Sequence, residues 1–323
     1  MNIRLGIIGT GRIAERFAQD GWQGLPVTLS SVYNPRLASA QTYAAQCNLP
    51  FGTNQWSAFL AQIDAAYIAS PTASHGAYIR RLLENGKHVL CEKPMVLNKK
   101  EAETLFTLAH KKRLVLMEAV KTAYCPGFQA LLKTVKEGKI GEVRDVEACF
   151  TKLAMPNSRE LTDRNYGGSM TELGTYGCYA VLKILGCNFK KLLFAVQRNT
   201  DGIDLFTKIF FEYGQGQTGL AKAGLGVKSE GELILSGTKG YILVQAPWWL
   251  TQHFEVRYED PTQRDFYDYP FVGNGLQYEL EHFLKKIQGI PTKEQMTPQE
   301  SITLAGIMEY FLQTEAPYRR AIP

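Results

Sequence analysis

The sequence predicts an α/β protein: a doubly wound parallel sheet at the amino terminus, followed by an α/β domain built on a large, mostly antiparallel open sheet. Three observations carry this. Short β-branched apolar runs alternate with helix-period segments over the first 120 or so residues, and a glycine turn separates the first run from the first helix. Beyond that point the apolar runs lengthen, alternate in polarity and are separated by Gly-containing turns. At 323 residues the chain is also longer than a single core usually grows, so two domains are expected, at 1–121 and 122–323.

Each element follows from its pattern. Residues 3–8 are a β-branched run closed by Gly9, and Ile13, Phe17 and Ala18 then recur at helical spacing. Residues 27–33 read as a strand, 37–47 as a helix, 65–69 as a buried strand, and 77–84 as a helix ended by Asn85-Gly86. Strand 88–91, helix 100–110 and strand 114–117 complete the series. Right-handed crossovers then make the sheet parallel and cover both its faces. In the second half, strands are expected at 144–150, 205–213, 216–223, 231–236 and 241–245, with helices near 174–185, 275–287 and 298–313. No internal repeat or low-complexity linker appears.

Composition excludes more than it names. A formal charge of +5 arises from 36 Lys and Arg scattered among 31 acids, and short runs such as Lys111-Lys112-Arg113 read as solvated helix faces rather than a nucleic-acid patch. The six cysteines form no CxxC pair and the five histidines no HExxH spacing, so no metal is signalled and the cysteines are expected to be buried, reduced thiols. No segment approaches the ~18 consecutive apolar residues of a membrane span, and Met1-Asn2 runs into a strand without a charged leader. A cytoplasmic protein without membrane or nucleic-acid partners is the expectation.

Gly9-Thr10-Gly11-Arg12-Ile13-Ala14 fits GxGxxA. Gly9 permits the tight turn, Gly11 lets a pyrophosphate approach the backbone, Ala14 lets helix and strand pack closely, and the helix amino terminus offers N–H groups to the phosphates. Strand, turn and helix in this order mark a Rossmann NAD(P)-binding domain. The acid expected at the end of the second strand is missing: the chain reads Val32-Tyr33-Asn34-Pro35-Arg36. Asn34 can still bond a ribose hydroxyl and Arg36 can pair with a 2′-phosphate, so NADP is favoured slightly over NAD.

Gly86-Lys87-His88-Val89-Leu90-Cys91-Glu92-Lys93-Pro94 closely resembles the GKHVxCEKP signature of the Gfo/Idh/MocA-type oxidoreductases, the glucose-fructose oxidoreductase, inositol dehydrogenase and dihydrodiol dehydrogenase group. Ser70-Pro71-Thr72 with His75, Met117-Glu118-Ala119, Gly138-Lys139-Ile140-Gly141-Glu142-Val143, Gly167-Gly168-Ser169 and Gly237-Thr238-Lys239-Gly240 resemble the same family in the same order. The resemblance implies an active site at the domain junction, a carboxy-terminal sheet that often forms a subunit interface in a homodimer or higher homo-oligomer, and a cofactor site drawing on Ser70, Pro71, Thr72, His75, Glu92 and Lys93. It gives Lys93 the functional lysine's role. Independently of family, a lysine at the end of a parallel strand beside a cofactor crevice is placed to donate to a substrate oxygen.

The family's DxGxH or DxGxY element is matched by Glu172-Leu173-Gly174-Thr175-Tyr176, where Glu172 departs from the usual Asp. Four-residue spacing puts 172 and 176 on one helical face. The resemblance then implies hydride transfer between nicotinamide and a carbinol or carbonyl carbon of a sugar, polyol or cyclic diol, with Lys93 and Tyr176 handling the proton and Glu172 orienting them. Lys121 departs from the aromatic residue of dihydrodiol-type relatives, and with Lys152, Arg159 or Arg164 it could attract an anionic substrate such as a sugar phosphate. Trp248-Trp249 could stack on a pyranose, although adjacent aromatics at a strand end are more often packing. Two other readings are a glycosidase that uses transient internal oxidation, and a nucleotide-sensing regulator; the first would show no net change in nicotinamide absorbance and the second no turnover.

Overall fold

The computed structural model describes residues 2–320. They form two compact units, Met1–Tyr124 with Val272–Ile302, and Cys125–Phe271 with the chain from Thr303 onward.

The first unit contains β1 (Ile3–Ile8), α1 (Arg12–Asp20), β2 (Val27–Tyr33), α2 (Leu37–Gln46), β3 (Gly52–Thr53), α3 (Trp56–Ala61), β4 (Ala65–Ile68), α4 (His75–Glu84), β5 (His88–Glu92), α5 (Lys99–Lys112) and β6 (Leu116–Ala119). All six strands run parallel in the order β3-β2-β1-β4-β5-β6. Their central members are continuous apolar runs because helices cover both faces: every residue of β4 and β6 is buried. Phe17 of α1 stacks on Tyr67 of β4 with ring centroids 4.0 Å apart, fixing that helix on the sheet.

The second unit holds α6 (Pro126–Lys136), β7 (Val143–Thr151), the short α7 (Arg159–Thr162), α8 (Thr175–Leu185), β8 (Phe189–Arg198), β9 (Asp204–Tyr213), β10 (Thr218–Gly224), β11 (Leu233–Gly237), β12 (Tyr241–Val244), β13 (His253–Arg257) and β14 (Arg264–Asp268). Their order is β14-β13-β12-β11-β7-β10-β9-β8, antiparallel throughout except for the β7–β10 pair. Helix α8 covers β7 and β10 and buries its whole run from Thr175 to Leu182. The other face keeps large apolar groups in water, Leu193 at 60% and Phe210 at 41% exposure. The last helices are α9 (Leu276–Ile287), in the first unit, and α10 (Pro298–Arg320).

Helices α3, α6 and α7 and strands β3, β8, β13 and β14 lie outside the elements expected from sequence, and the expected strand at 114–117 runs two residues later. Four cysteines are buried, while Cys47 and Cys187 are only half-buried; all six are free thiols. No helix of the described residues is long and apolar enough to cross a membrane.

Candidate functional site

The glycine turn sits where β1 ends. Gly9 adopts φ +106°, and a Cβ there would lie 2.7 Å from the Ala69 carbonyl oxygen, so a side chain is excluded both by conformation and by the neighbouring strand. Gly11 caps α1, and a Cβ on it would meet nothing within 4 Å. The backbone is therefore open on that side, at the amino terminus of a nine-residue helix, which fits a dinucleotide pyrophosphate. Ala14 is fully buried, and its carbonyl accepts from the Tyr43 hydroxyl at 2.6 Å. Arg12 is exposed and Ile13 half-buried. Asn34 donates from Nδ2 to Thr10 Oγ1 at 2.9 Å and accepts from the Arg36 backbone N–H at 2.9 Å, which ties the end of β2 to the turn; the Arg36 residue itself is exposed.

Ser70, Pro71 and Thr72 follow β4, and Lys93 follows β5. Register aligns Ile8 with Ile68 and Ile68 with Cys91, so the ends of β1, β4 and β5 stand in one row. Gly9, Ala69 and Glu92 are the next residues along that row, and strand spacing places Lys93 roughly 10 Å from the glycine turn. Lys93 is half-buried and joined to Pro94 by a cis peptide bond. His75, 1% exposed, spans the two segments: Nε2 lies 2.8 Å from the Ser70 carbonyl oxygen and Nδ1 3.0 Å from that of Pro94. Burial lowers its pKa, so the ring is neutral and donates to one of the two oxygens.

Glu92, expected at the cofactor site, is one of three buried carboxyl groups in this region; the other two, Glu118 and Glu279, carry no role in the sequence reading. Glu92 accepts from the Tyr67 hydroxyl at 2.6 Å and from the Lys93 N–H at 3.2 Å, and burial raises its pKa despite the nearby Lys93 and Lys121 ammoniums. Glu118 on β6 accepts from the Met95 N–H at 2.8 Å, and burial pushes it up to about 7. Glu279 on α9 is fully buried. Its signal was legible, because an acid at 279 interrupts the apolar stripe of Leu276, Leu280, Phe283 and Leu284. Lys121, in the turn after β6, donates to the Asn274 carbonyl at 3.1 Å.

In the second unit the buried Asp204 carboxylate accepts from the Met170 N–H at 2.7 Å and the Thr207 hydroxyl at 3.0 Å. It thereby fixes the start of a π-helical stretch, Met170–Gly174, that leads into α8. The wider winding matters for the expected shared face, because Glu172 and Tyr176 go to different neighbours. Glu172 pairs with Arg159 at 2.6 Å, and Tyr176, 8% exposed, packs on the Phe150 ring at 5.1 Å. Phe150 in turn stacks on Trp249 at 3.5 Å. Trp248 is a core residue, fully buried and donating its indole N–H to the Cys149 carbonyl at 2.9 Å. Arg164 pairs with Asp201 at 2.7 Å, and Lys152 is exposed.

Comparison with known proteins agrees with this architecture. Residues 3–120 match the model of an oxidoreductase family with an NAD-binding Rossmann fold, and residues 128–243 match the GFO/IDH/MocA C-terminal domain. The trans-1,2-dihydrobenzene-1,2-diol dehydrogenase of Sus scrofa is 28% identical, with 96% of each chain covered. The scyllo-inositol 2-dehydrogenase (NADP(+)) of Bacillus subtilis is 29% identical over 95% of each. Among solved structures, the UDP-N-acetylglucosamine 3-dehydrogenase of Acidithiobacillus ferrooxidans superposes with TM-score 0.83 at 20% identity, covering 99% of this chain and 98% of that one. A 3-ketoreductase of Actinomadura kijaniata, in complex with TDP-benzene and NADP, superposes with TM-score 0.80 at 22% identity, covering 96% of each. The chain belongs to the GFO/IDH/MocA family of oxidoreductases and carries that family's NAD(P)-binding Rossmann domain.

Proposed function

We propose that the chain transfers a hydride between a nicotinamide nucleotide and a carbinol or carbonyl carbon of a sugar, polyol or cyclic diol, with Lys93 and Tyr176 handling the proton. One observation carries this reading: the aligned ends of β1, β4 and β5 put the glycine turn, the Ser70 turn and Lys93 along one edge of the parallel sheet. Bound along that edge, the nucleotide supplies the hydride acceptor or donor. Gly9 to Ala14 hold its pyrophosphate; Asn34, Arg36 and the Ser70-Pro71-Thr72 segment hold its adenosine and ribose portions. His75 and Glu92 support from within, His75 by tying the Ser70 and Pro94 backbones and Glu92 by holding the Lys93 N–H. The Lys93 ammonium donates to the substrate oxygen and stabilises alkoxide charge as it develops. Tyr176 exchanges the hydroxyl proton, and Glu172 orients its surroundings through Arg159.

The names of the relatives, an inositol dehydrogenase and a diol dehydrogenase, support substrates with neighbouring hydroxyl groups. NADP is favoured over NAD, because Arg36 stands exposed where the second strand lacks its acid and because the inositol dehydrogenase is an NADP(+) enzyme. Arg159 and Arg164 are already matched by Glu172 and Asp201, which favours a neutral over a phosphorylated substrate. The protein works in the cytoplasm; residues 1–121 bind the nucleotide, and 122–323 bind substrate and pair subunits through the open sheet face.

Lys93→Met tests the assignment. Nucleotide binding, followed by fluorescence titration with NAD and NADP in turn, should persist, while turnover across a panel of sugars, inositols, diols and phosphosugars falls by about 10²–10⁴-fold. Near-normal turnover in this variant refutes the role of Lys93.

A further inference from the structure

We propose that Glu279 is a positioning residue for this reaction: its carboxyl group carries the proton that it shares with Glu92, so that Glu92 remains the carboxylate that holds the Lys93 backbone. The proposal rests on the role given to Lys93 above. Helix α9 packs on β5 and on the Lys121–Tyr124 turn, and Glu279 lies on its buried stripe with 0% exposure. Neither of its carboxyl oxygens has a hydrogen-bond partner in the protein. An ion left in that position would be buried without donors, whereas the neutral acid is far less costly to bury.

Glu92 differs in every respect that matters. Two donors reach it, the Tyr67 hydroxyl and the Lys93 N–H, and the ammonium groups of Lys93 and Lys121 both favour its charge. The Glu92 charge raises Glu279's resistance to ionising, second to burial itself, and only Lys121 acts on Glu279 in the other direction. Two carboxyl groups in one buried field do not both ionise, and the shared proton goes to the one without donors. The other groups facing this field are neutral or already matched. They are the phenols of Tyr67 and Tyr124, kept protonated by burial; Glu118, held by the Met95 N–H; His282, whose ring lies 5.1 Å from Tyr124 and is held neutral by burial; and Asp20 of α1, which accepts from Asn274 at 3.0 Å. Releasing the second proton would set a second anion against Glu92, the carboxylate that holds the Lys93 N–H, so the charge state of Glu279 is linked to that of Glu92.

Infrared spectroscopy of the ligand-free protein at about pH 8.5, where Glu118 is largely ionised, decides the proton's place. The wild type should show a carboxylic C=O stretch that Glu279→Gln loses and Glu118→Gln keeps. Absence of that band in the wild type, which needs no variant to fold, overturns the proposal, as does its survival in Glu279→Gln. The positioning role is read from the pH profile of turnover: in Glu279→Gln the alkaline limb should move down by ~1 pH unit, because the late second anion can no longer form. Coincident limbs overturn that role. A protein with no turnover on any substrate would sink the function proposed above, while the infrared band would still decide where the proton sits.

Discussion

At the scale of single residues, Glu118 shows how a buried acid makes stability depend on pH. Its carboxyl group accepts from the Met95 N–H, and burial outweighs the Met95 and Ser301 hydrogen bonds, raising the pKa from 4.5 to about 7. Below the unfolded-state value of 4.5 both states carry the proton and the group favours neither. Between 4.5 and about 7 the unfolded chain gives up its proton first, so stability falls as pH rises, and the loss is complete above the folded value. The full span is on the order of 3 kcal/mol at about 1.4 kcal/mol per unit. Glu118→Gln keeps the acceptor for Met95 and cannot ionise. Relative to wild type it should gain about 1–3 kcal/mol in denaturant unfolding at pH 8.5 and almost nothing at about pH 4. Equal differences at both pH values would mean that the acid's ionisation contributes nothing to the unfolding equilibrium.

At the scale of elements, the two glycines of the β1–α1 turn separate folding from binding. Gly9 sits at φ +106° with the Ala69 carbonyl against it, whereas Gly11 has open space where a side chain would go. Gly9→Ala should therefore lower stability, by roughly 1–3 kcal/mol for a strained backbone, with nucleotide binding lost along with it. Gly11→Ala should melt within a degree or two of wild type and still bind NADP at least tenfold more weakly, because its methyl group occupies the phosphate's approach. Thermal melts paired with nucleotide titrations distinguish them; equal melting loss in both variants would refute the division. This turn was legible in the sequence because everything that defines it is local: a β-branched run, a GxGxxA hexapeptide and an amphipathic helix. The Glu92-Lys93-Pro94 strand end was legible for the same reason. Helix α6 carries equally local signals, Pro126 at its start and lysines at its end. Strand β8 was hidden by its own exposure, since Leu192 is its one buried residue and alternation is blurred. The role of Glu279 could not be read, because what makes it unusual is its neighbours in space, Glu92 and Lys121, which are remote in sequence and which only the packing of α9 supplies. The parallel β7–β10 pair is likewise a register between strands remote in sequence, which no local pattern encodes.

At the scale of the whole molecule, the open face of the eight-stranded sheet is what remains to be covered. Helix α8 lies on one face, while on the other Leu193 and Phe210 stand in water at 60% and 41% exposure. Around them charges are paired across strands, Lys191 with Glu212 at 3.2 Å and Lys222 with Glu147 at 3.8 Å. Apolar groups of this size among matched charges suit a self-complementary contact better than permanent solvation. A two-fold pairing of sheet faces would bury Phe210 of each subunit in the same interface, so one substitution acts twice. Phe210→Glu then places an unpaired carboxylate in each copy, at about 3–5 kcal/mol apiece if they stay buried, and should weaken association by roughly 10⁴-fold or more. Sedimentation velocity over a dilution series measures this directly. Wild type should sediment as a dimer or larger assembly and Phe210→Glu as a monomer with an unchanged circular dichroism spectrum. A monomeric wild type, or a variant that assembles as tightly as its parent, would show that this face is not the subunit contact.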